Sequence, residues 1–335
     1  MRPLGAHLVG SVPLQDSRTV FRTVSTALGP HLRRLPDGET GVRTNWIAWQ
    51  YDVLARTPGL SPVPVGDRGY LRRQLVQLDA GRAPPRFGPL GYADAALQSY
   101  AVFRALQREG VIPEAIRFQV SLPTPLAPVV VFVTEADRPV VEAPYAAQLF
   151  EELHGILAQI PHERLAIQWD LAVEVGLLEN VWPAPFPDLQ AGMVQRLSRL
   201  ADAVPREVSL GYHLCYGDFG HKHFVAPLDA GALVRLANLV ASFARPPDFL
   251  HLPVPLSWVA PSAYAPLSEL ALPAGLDLFL GLVHLTDGVD GGRRRISLAS
   301  AQVPAFGIAT ECGWGRRPPQ TIPALLDLHA SLLEG

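Results

Sequence analysis

Two cysteines occur in the 335 residues, Cys215 and Cys312, and the one lysine, Lys222, sits between His221 and His223. These rare residue types gather in the stretch from Gly211 to His223 and in Glu311-Cys312. His213 and Cys215 stand two positions apart, so on a β-strand both side chains point to one face, as a shared metal ion with soft ligands requires. Cys312 can add a third ligand from another strand. The same residues also suit a core, with both cysteines as small buried hydrophobes and His213 as a satisfied histidine.

A second set carries charge. Ser11 stands in Gly10-Ser-Val-Pro13, Glu39 in Pro36-Asp-Gly-Glu-Thr-Gly41, and Asp170 ends Ala166-Ile-Gln-Trp-Asp170. Two carboxylates converging on one face repel each other, so Glu39 and Asp170 together make a natural seat for an ammonium group. The local alternative is that Glu39 pairs with Arg43 and Asp170 caps a following helix. His284, His221 and Asp287 are candidates to carry a proton to a leaving group. Lys222 either binds an anionic group or is an exposed loop lysine.

These residues need a scaffold that brings them together. Short apolar strands are expected near residues 5, 33, 118, 167, 210, 250, 280 and 307, each followed by a loop and usually a helix. Strands alternating with helices require parallel pairing, and eight of them predict an α/β fold, a single (β/α)8 TIM barrel spanning residues 1–335. In that fold the active site lies at the C-terminal strand ends, where Ser11, Glu39, Asp170, His213, Cys215, His251, His284 and Cys312 all fall. Residues 57–92, rich in Pro, Gly and Arg, read as an irregular excursion able to cover the mouth. A doubly wound open sheet competes, but no Gly-rich phosphate loop follows the first strand.

Composition narrows the function classes. With 48% hydrophobic and 18% charged residues and a net charge of -3, the chain can bury a large core and has no basic field for a nucleic-acid backbone. No apolar run has membrane-spanning length, and two distant cysteines make no disulfide framework. With no secretory signal either, a reducing cytoplasm is the expected setting.

In the order of its motifs, and over nearly its whole length, the sequence resembles the catalytic barrel of cobalamin-independent methionine synthase, within the superfamily that includes uroporphyrinogen decarboxylase. Gly10-Ser-Val-Pro13 stands where that family has Gly-Ser-Phe-Pro. Asp37-Gly-Glu39, followed by Arg43, Thr44 and Asn45, stands for its His-Gly-Glu loop. Gln168-Trp-Asp170 with Glu174 matches a strand ending in Asp beside a second acid. His213-Leu-Cys-Tyr216 matches His-Met-Cys-Tyr, and Glu311-Cys-Gly313 matches Asp-Cys-Gly.

The resemblance implies zinc on His213, Cys215 and Cys312, and an amino-acid thiol held through its amino and carboxyl groups by Ser11, Glu39 and Asp170. The family's fourth ligand is a glutamate on the strand matched by residues 249–255, where this chain has none. His251, two residues earlier on the same strand face, or a water is expected in its place. The expected reaction is methyl or alkyl transfer to the thiol of a small amino acid such as homocysteine, the metal converting the thiol to a held thiolate. The family's pterin-binding residues are not recognisable around residues 121–128, so the expected donor is a methylated corrinoid or a methylated small molecule, not polyglutamyl folate. Two other classes compete. One is a metal-independent lyase of the uroporphyrinogen decarboxylase type, with an arginine-lined mouth near Arg293, Arg294 and Arg295; the other is a thiol- or metal-binding protein without turnover.

Overall fold

The computed structural model describes residues 2–63, 74–219 and 222–334. Helix α1 (Ser17–Leu28) opens on Asp16, whose carboxylate accepts the Thr19 amide at 2.8 Å, and buries the stripe Val20, Phe21, Val24 and Leu28. Strand β1 (Arg34–Pro36) follows. Helix α2 (Gln50–Arg56) leads to β2 (Leu60–Val63), which pairs antiparallel with β3 (Leu75–Leu78). The expected irregular excursion over 57–92 therefore carries a two-stranded ladder, anchored inward by the buried Val76; residues 64–73 lie outside the described part.

Strand and helix then alternate. The order is α3 (Tyr92–Arg108), β4 (Arg117–Pro123), α4 (Leu126–Phe132), α5 (Arg138–Gln159), β5 (Leu165–Leu171), α6 (Ala172–Leu178), α7 (Leu189–Asp202), β6 (Ser209–Leu214), α8 (Gly231–Ala241), β7 (Phe249–Pro253), α9 (Pro261–Tyr264), β8 (Asp277–Gly281), α10 (Gly288–Ser300), β9 (Gly307–Ile308) and α11 (Ile322–Glu334). One parallel sheet holds seven strands in the order β1-β4-β5-β6-β7-β8-β9. Every residue of β5 is buried, including Gln168 and Asp170, so the strand shows no alternation of buried and exposed positions, and its polar residues find partners inside the sheet. No described helix is long and apolar enough to cross a membrane.

The expectation of eight regular strands is met by seven, because the first segment forms no ladder of its own. It touches both edges of the sheet at one residue: Ala6 makes parallel bridges to Leu32 and to Ile308. The Ala6 amide donates to the His31 carbonyl and the His7 amide to the Ile308 carbonyl, each at 2.9 Å. Beyond His7, side chains take over from the ladder. Gln119 Nε2 donates to the Leu8 and Val9 carbonyls at 3.0 Å, Gln168 Nε2 to Val9 at 2.7 Å, and Ser121 Oγ to Val9 at 2.9 Å. This barrel-like curl carries Gly10 and Ser11 to the C-terminal ends of β4 and β5.

The other end of the strands is plugged. Phe249, Phe279 and Ala166 form a small buried cluster, and the Arg34 guanidinium lies 3.8 Å from the Phe249 ring centroid. Asp277 neutralises that buried cation at 3.0 Å and also holds Arg33 at 2.7 Å.

Three further expectations change. The glycine-rich stretch Asp287 to Gly292, whose composition reads as a loop, opens α10. Its glycines serve close packing: a Cβ on Gly291 would come within 1.9 Å of the Asp287 carboxyl carbon, and one on Gly292 within 2.7 Å of Leu332. The strand expected near residue 280 stops at Gly281, so His284 lies beyond its end. The last strand has only two residues, which places Glu311 and Cys312 in the loop that follows it.

Candidate metal centre and its cavity

Parallel pairing of β6 with β7 sets His213 beside His251, and their Nδ1 atoms are 2.7 Å apart. Cys215 follows the end of β6 and Cys312 follows β9, and the Cys215 thiol donates to Cys312 Sγ across 3.7 Å. One ring nitrogen of His213 and the two sulfurs all lie within 4.8 Å of one another, the one such group of three metal-ligating side chains among the described residues. Of the two His213 nitrogens, Nδ1 is taken by His251, while Nε2 is buried without a hydrogen-bond partner. A buried, unsatisfied imidazole nitrogen beside two thiols is a donor set in want of an acceptor.

The two thiols differ. The hydrogen bond from Cys215, helped by the Arg316 charge, lowers the Cys312 pKa, whereas that same bond and burial push Cys215 up. Arg316 Nη2 stands 3.9 Å from Cys312 Sγ; its guanidinium also reaches Asp218 at 3.3 Å and Asn45 at 3.1 Å. The Cys312 loop is pinned from both sides. Thr310 Oγ1 donates to the Cys312 carbonyl at 2.7 Å, and the Trp314 amide donates to the Ser11 carbonyl at 2.6 Å.

His213, Cys215 and Cys312 border a cavity of about 270 Å³ that Ser11, Glu39 and Asp170 also line. Its remaining wall is mostly apolar, including Trp46, Phe132 and Trp182. Glu39 adopts a left-handed φ of 46°, uncommon for a residue with a Cβ, and its carboxylate has no hydrogen-bond partner among the described residues. Gly10 makes room for it, since a Cβ there would meet Glu39 Oε1 at 2.6 Å. The local alternative does not form: Arg43 pairs with Asp37 at 2.6 Å, and Asp37 also accepts from Ser99 Oγ and the Glu39 amide. Asp170 accepts from Gln168 Nε2 at 2.9 Å and caps no helix, because α6 starts from Leu171 without a side-chain cap. Burial raises both pKa values well above the ordinary carboxylate range; the Asp170 charge adds to the rise at Glu39, and Cys312 adds to that at Asp170.

Several expected residues are placed elsewhere. His251, expected as a fourth ligand, has both ring nitrogens engaged, Nδ1 with His213 and Nε2 with the Thr310 carbonyl at 2.9 Å, and it stands outside the ligand cluster. His284 and Asp287 do not line the cavity. His284 Nε2 donates to the Val254 carbonyl at 2.9 Å, and Nδ1 lies 3.5 Å from Glu311. Asp287 is locked to Arg295 by two 2.7 Å bonds that lower its pKa, which unfits it as a proton donor. His221 lies outside the described residues. Lys222 is exposed and does not line the cavity. Reading by residue type missed Arg316, whose one signal was its position four residues after Cys312, and Trp46, whose φ of 47° leaves no mark in the sequence.

No protein-family model matches the chain, and no curated protein matches it. Among solved structures, the chain superposes on one from Listeria monocytogenes described as a "putative vitamin-B12 independent methionine synthase", with a TM-score of 0.57 and 14% identity, covering 100% of this chain and 97% of that one. At that identity the likeness bears on the fold.

Proposed function

We propose that this protein is a zinc-dependent transferase that moves a methyl or alkyl group onto the sulfur of a small amino-acid thiol such as homocysteine. The observation that carries this reading is the convergence of His213, Cys215 and Cys312 at the wall of a cavity that also holds two partly unsatisfied carboxyls. One imidazole and two thiolates suit zinc, and three protein ligands leave a position for substrate, as catalytic zinc sites do. The bound ion would supply a Lewis acid that lowers the pKa of a substrate thiol and holds the sulfur as a nucleophile.

The chain's own residues do the rest. Glu39 and Asp170 give an ammonium group two acceptors, and its charge offsets the burial that otherwise keeps them protonated. Ser11 is fixed by the Gly315 amide, which donates to its Oγ at 3.2 Å, so it can present the same edge to a bound amino acid in every cycle. Trp46, Phe132 and Trp182 exclude water from the space where the alkyl group must approach. A cavity of about 270 Å³ has room for an amino acid and a small alkyl group, which favours a small methylated molecule or the methyl of a corrinoid as donor.

The lyase alternative draws no support from the arginines expected at the mouth. Arg293 and Arg294 are exposed on α10, Arg295 is buried against Asp287, and Arg316 is the one arginine among the described lining residues. Elemental analysis of protein purified without chelator tests the proposal. Stoichiometric zinc in the wild type and its loss in Cys215→Ser is the expected result; zinc content indifferent to that substitution overturns it.

A further inference from the structure

We propose that His251 is a positioning residue, which holds His213 as the tautomer protonated on Nδ1 and so leaves Nε2 as a bare lone pair for the metal. This rests on the reading of His213 as a ligand. The argument runs through two hydrogen bonds. A carbonyl oxygen only accepts, so the 2.9 Å contact with Thr310 requires a proton on His251 Nε2. A neutral His251 then has no proton on Nδ1. The 2.7 Å contact between the two Nδ1 atoms needs one proton, and His213 must supply it. His213 Nε2 is left unprotonated, and it is the buried nitrogen without a partner.

The reverse arrangement needs a second proton on His251, a cation buried with no carboxylate bonded to it. Burial opposes this, since His251 is wholly enclosed. The surrounding backbone is shaped for the contact. Gly281 on β8 leaves the space, since a Cβ there would stand 2.9 Å from His251 Nε2 and 2.8 Å from the Thr310 carbonyl oxygen. Register places His251 directly beside His213, so the relay costs no extra loop ordering. A histidine that is made to expose one nitrogen binds metal without first having to change tautomer, and such supporting partners are commonly worth about ten- to a hundredfold in metal affinity.

Two measurements test this. In zinc-free wild type labelled with ¹⁵N at histidine, and with the His213 signals assigned by their loss in His213→Gln, His213 is expected to show a pyrrole-like Nδ1 and a pyridine-like Nε2, and His251 the opposite pattern. His213 protonated on Nε2 overturns the proposal and needs no variant that might misfold. Zinc affinity by chelator competition is expected to fall about ten- to a hundredfold in His251→Leu. It should recover in His251→Asn, whose amide oxygen can stand where Nδ1 stood. Equal zinc affinity in wild type and His251→Leu overturns the positioning role while leaving the ligands intact. A wild type that binds no zinc removes the metal reading instead, and the tautomer assignment then stands or falls on the spectrum alone.

Discussion

Cys215 and Cys312 are separated by 97 residues in sequence, yet their sulfurs lie 3.7 Å apart and share a hydrogen bond. The bond makes them unequal: Cys215 donates and is buried, whereas Cys312 accepts, is partly exposed and has the lowered pKa. The thiolate is the reactive form, so in metal-free protein an alkylating reagent should label Cys312 before Cys215. Peptide mass spectrometry over a time course reads the order, and labelling of Cys215 first would contradict the assignment. Zinc should slow both reactions together.

Metal binding should also appear as stability. A ligand that binds only the folded chain at a hundred times its Kd stabilises it by about 2.7 kcal/mol. Zinc should therefore raise the unfolding midpoint of the wild type and leave His213→Ala and Cys312→Ser unmoved. A matching rise in either variant would point to ligands elsewhere.

Glu39 and Asp170 give a pH signature. A carboxyl whose folded pKa is raised keeps its proton in the folded chain after the unfolded chain has lost it, so from about pH 4 upward stability falls as pH rises, until the folded groups ionise. Glu39→Gln and Asp170→Asn should each flatten that decline. The same substitutions should weaken homocysteine binding about tenfold or more, since a hydrogen bond to a charged group is worth about 1.5–3 kcal/mol. Calorimetry decides the point: equal affinity in all three proteins removes the ammonium seat.

At the opposite end of the strands, Asp277→Ala should cost about 3 kcal/mol, because it strands the buried Arg34 cation against the Phe249 ring without its counter-charge. Zinc content of the folded fraction should not change. Denaturant melts and metal analysis on one sample separate this plug from the site.

The sequence made some of this legible and hid the rest for identifiable reasons. Helices such as α1 and α3 announce themselves by apolar stripes, and β5 by the short apolar run Leu165-Ala-Ile167 before Gln168. Helix α10 was hidden because Gly291 and Gly292, needed for contact with Asp287 and Leu332, look like a loop. The His213, Cys215 and Cys312 cluster was readable because His213 and Cys215 stand two positions apart at the end of β6, even though Cys215 lies just past the strand. The use of His251 was not, because it depends on which atoms of Thr310 and His213 lie across the strands. Glu39 and Asp170 were visible as acids, but their lack of a cationic partner emerges only once Arg43 is seen to choose Asp37.

The seam joining the two ends of the sheet has a consequence for how the site comes into being. Ser11 reaches the cavity only when residues 6–9 have settled on Gln119, Gln168 and Ile308, and the Cys312 loop is tied to that same segment through Trp314 and Ser11. Contacts spanning nearly the whole chain are slow to form. A folding chain that has paired β4 through β8 but left the seam open therefore displays His213 and Cys215 without Cys312, two ligands of three. On the proposed zinc reading such a chain would grip the ion weakly, so metal uptake should track the last kinetic phase of refolding, with the ion a latch on the finished fold instead of a seed for it.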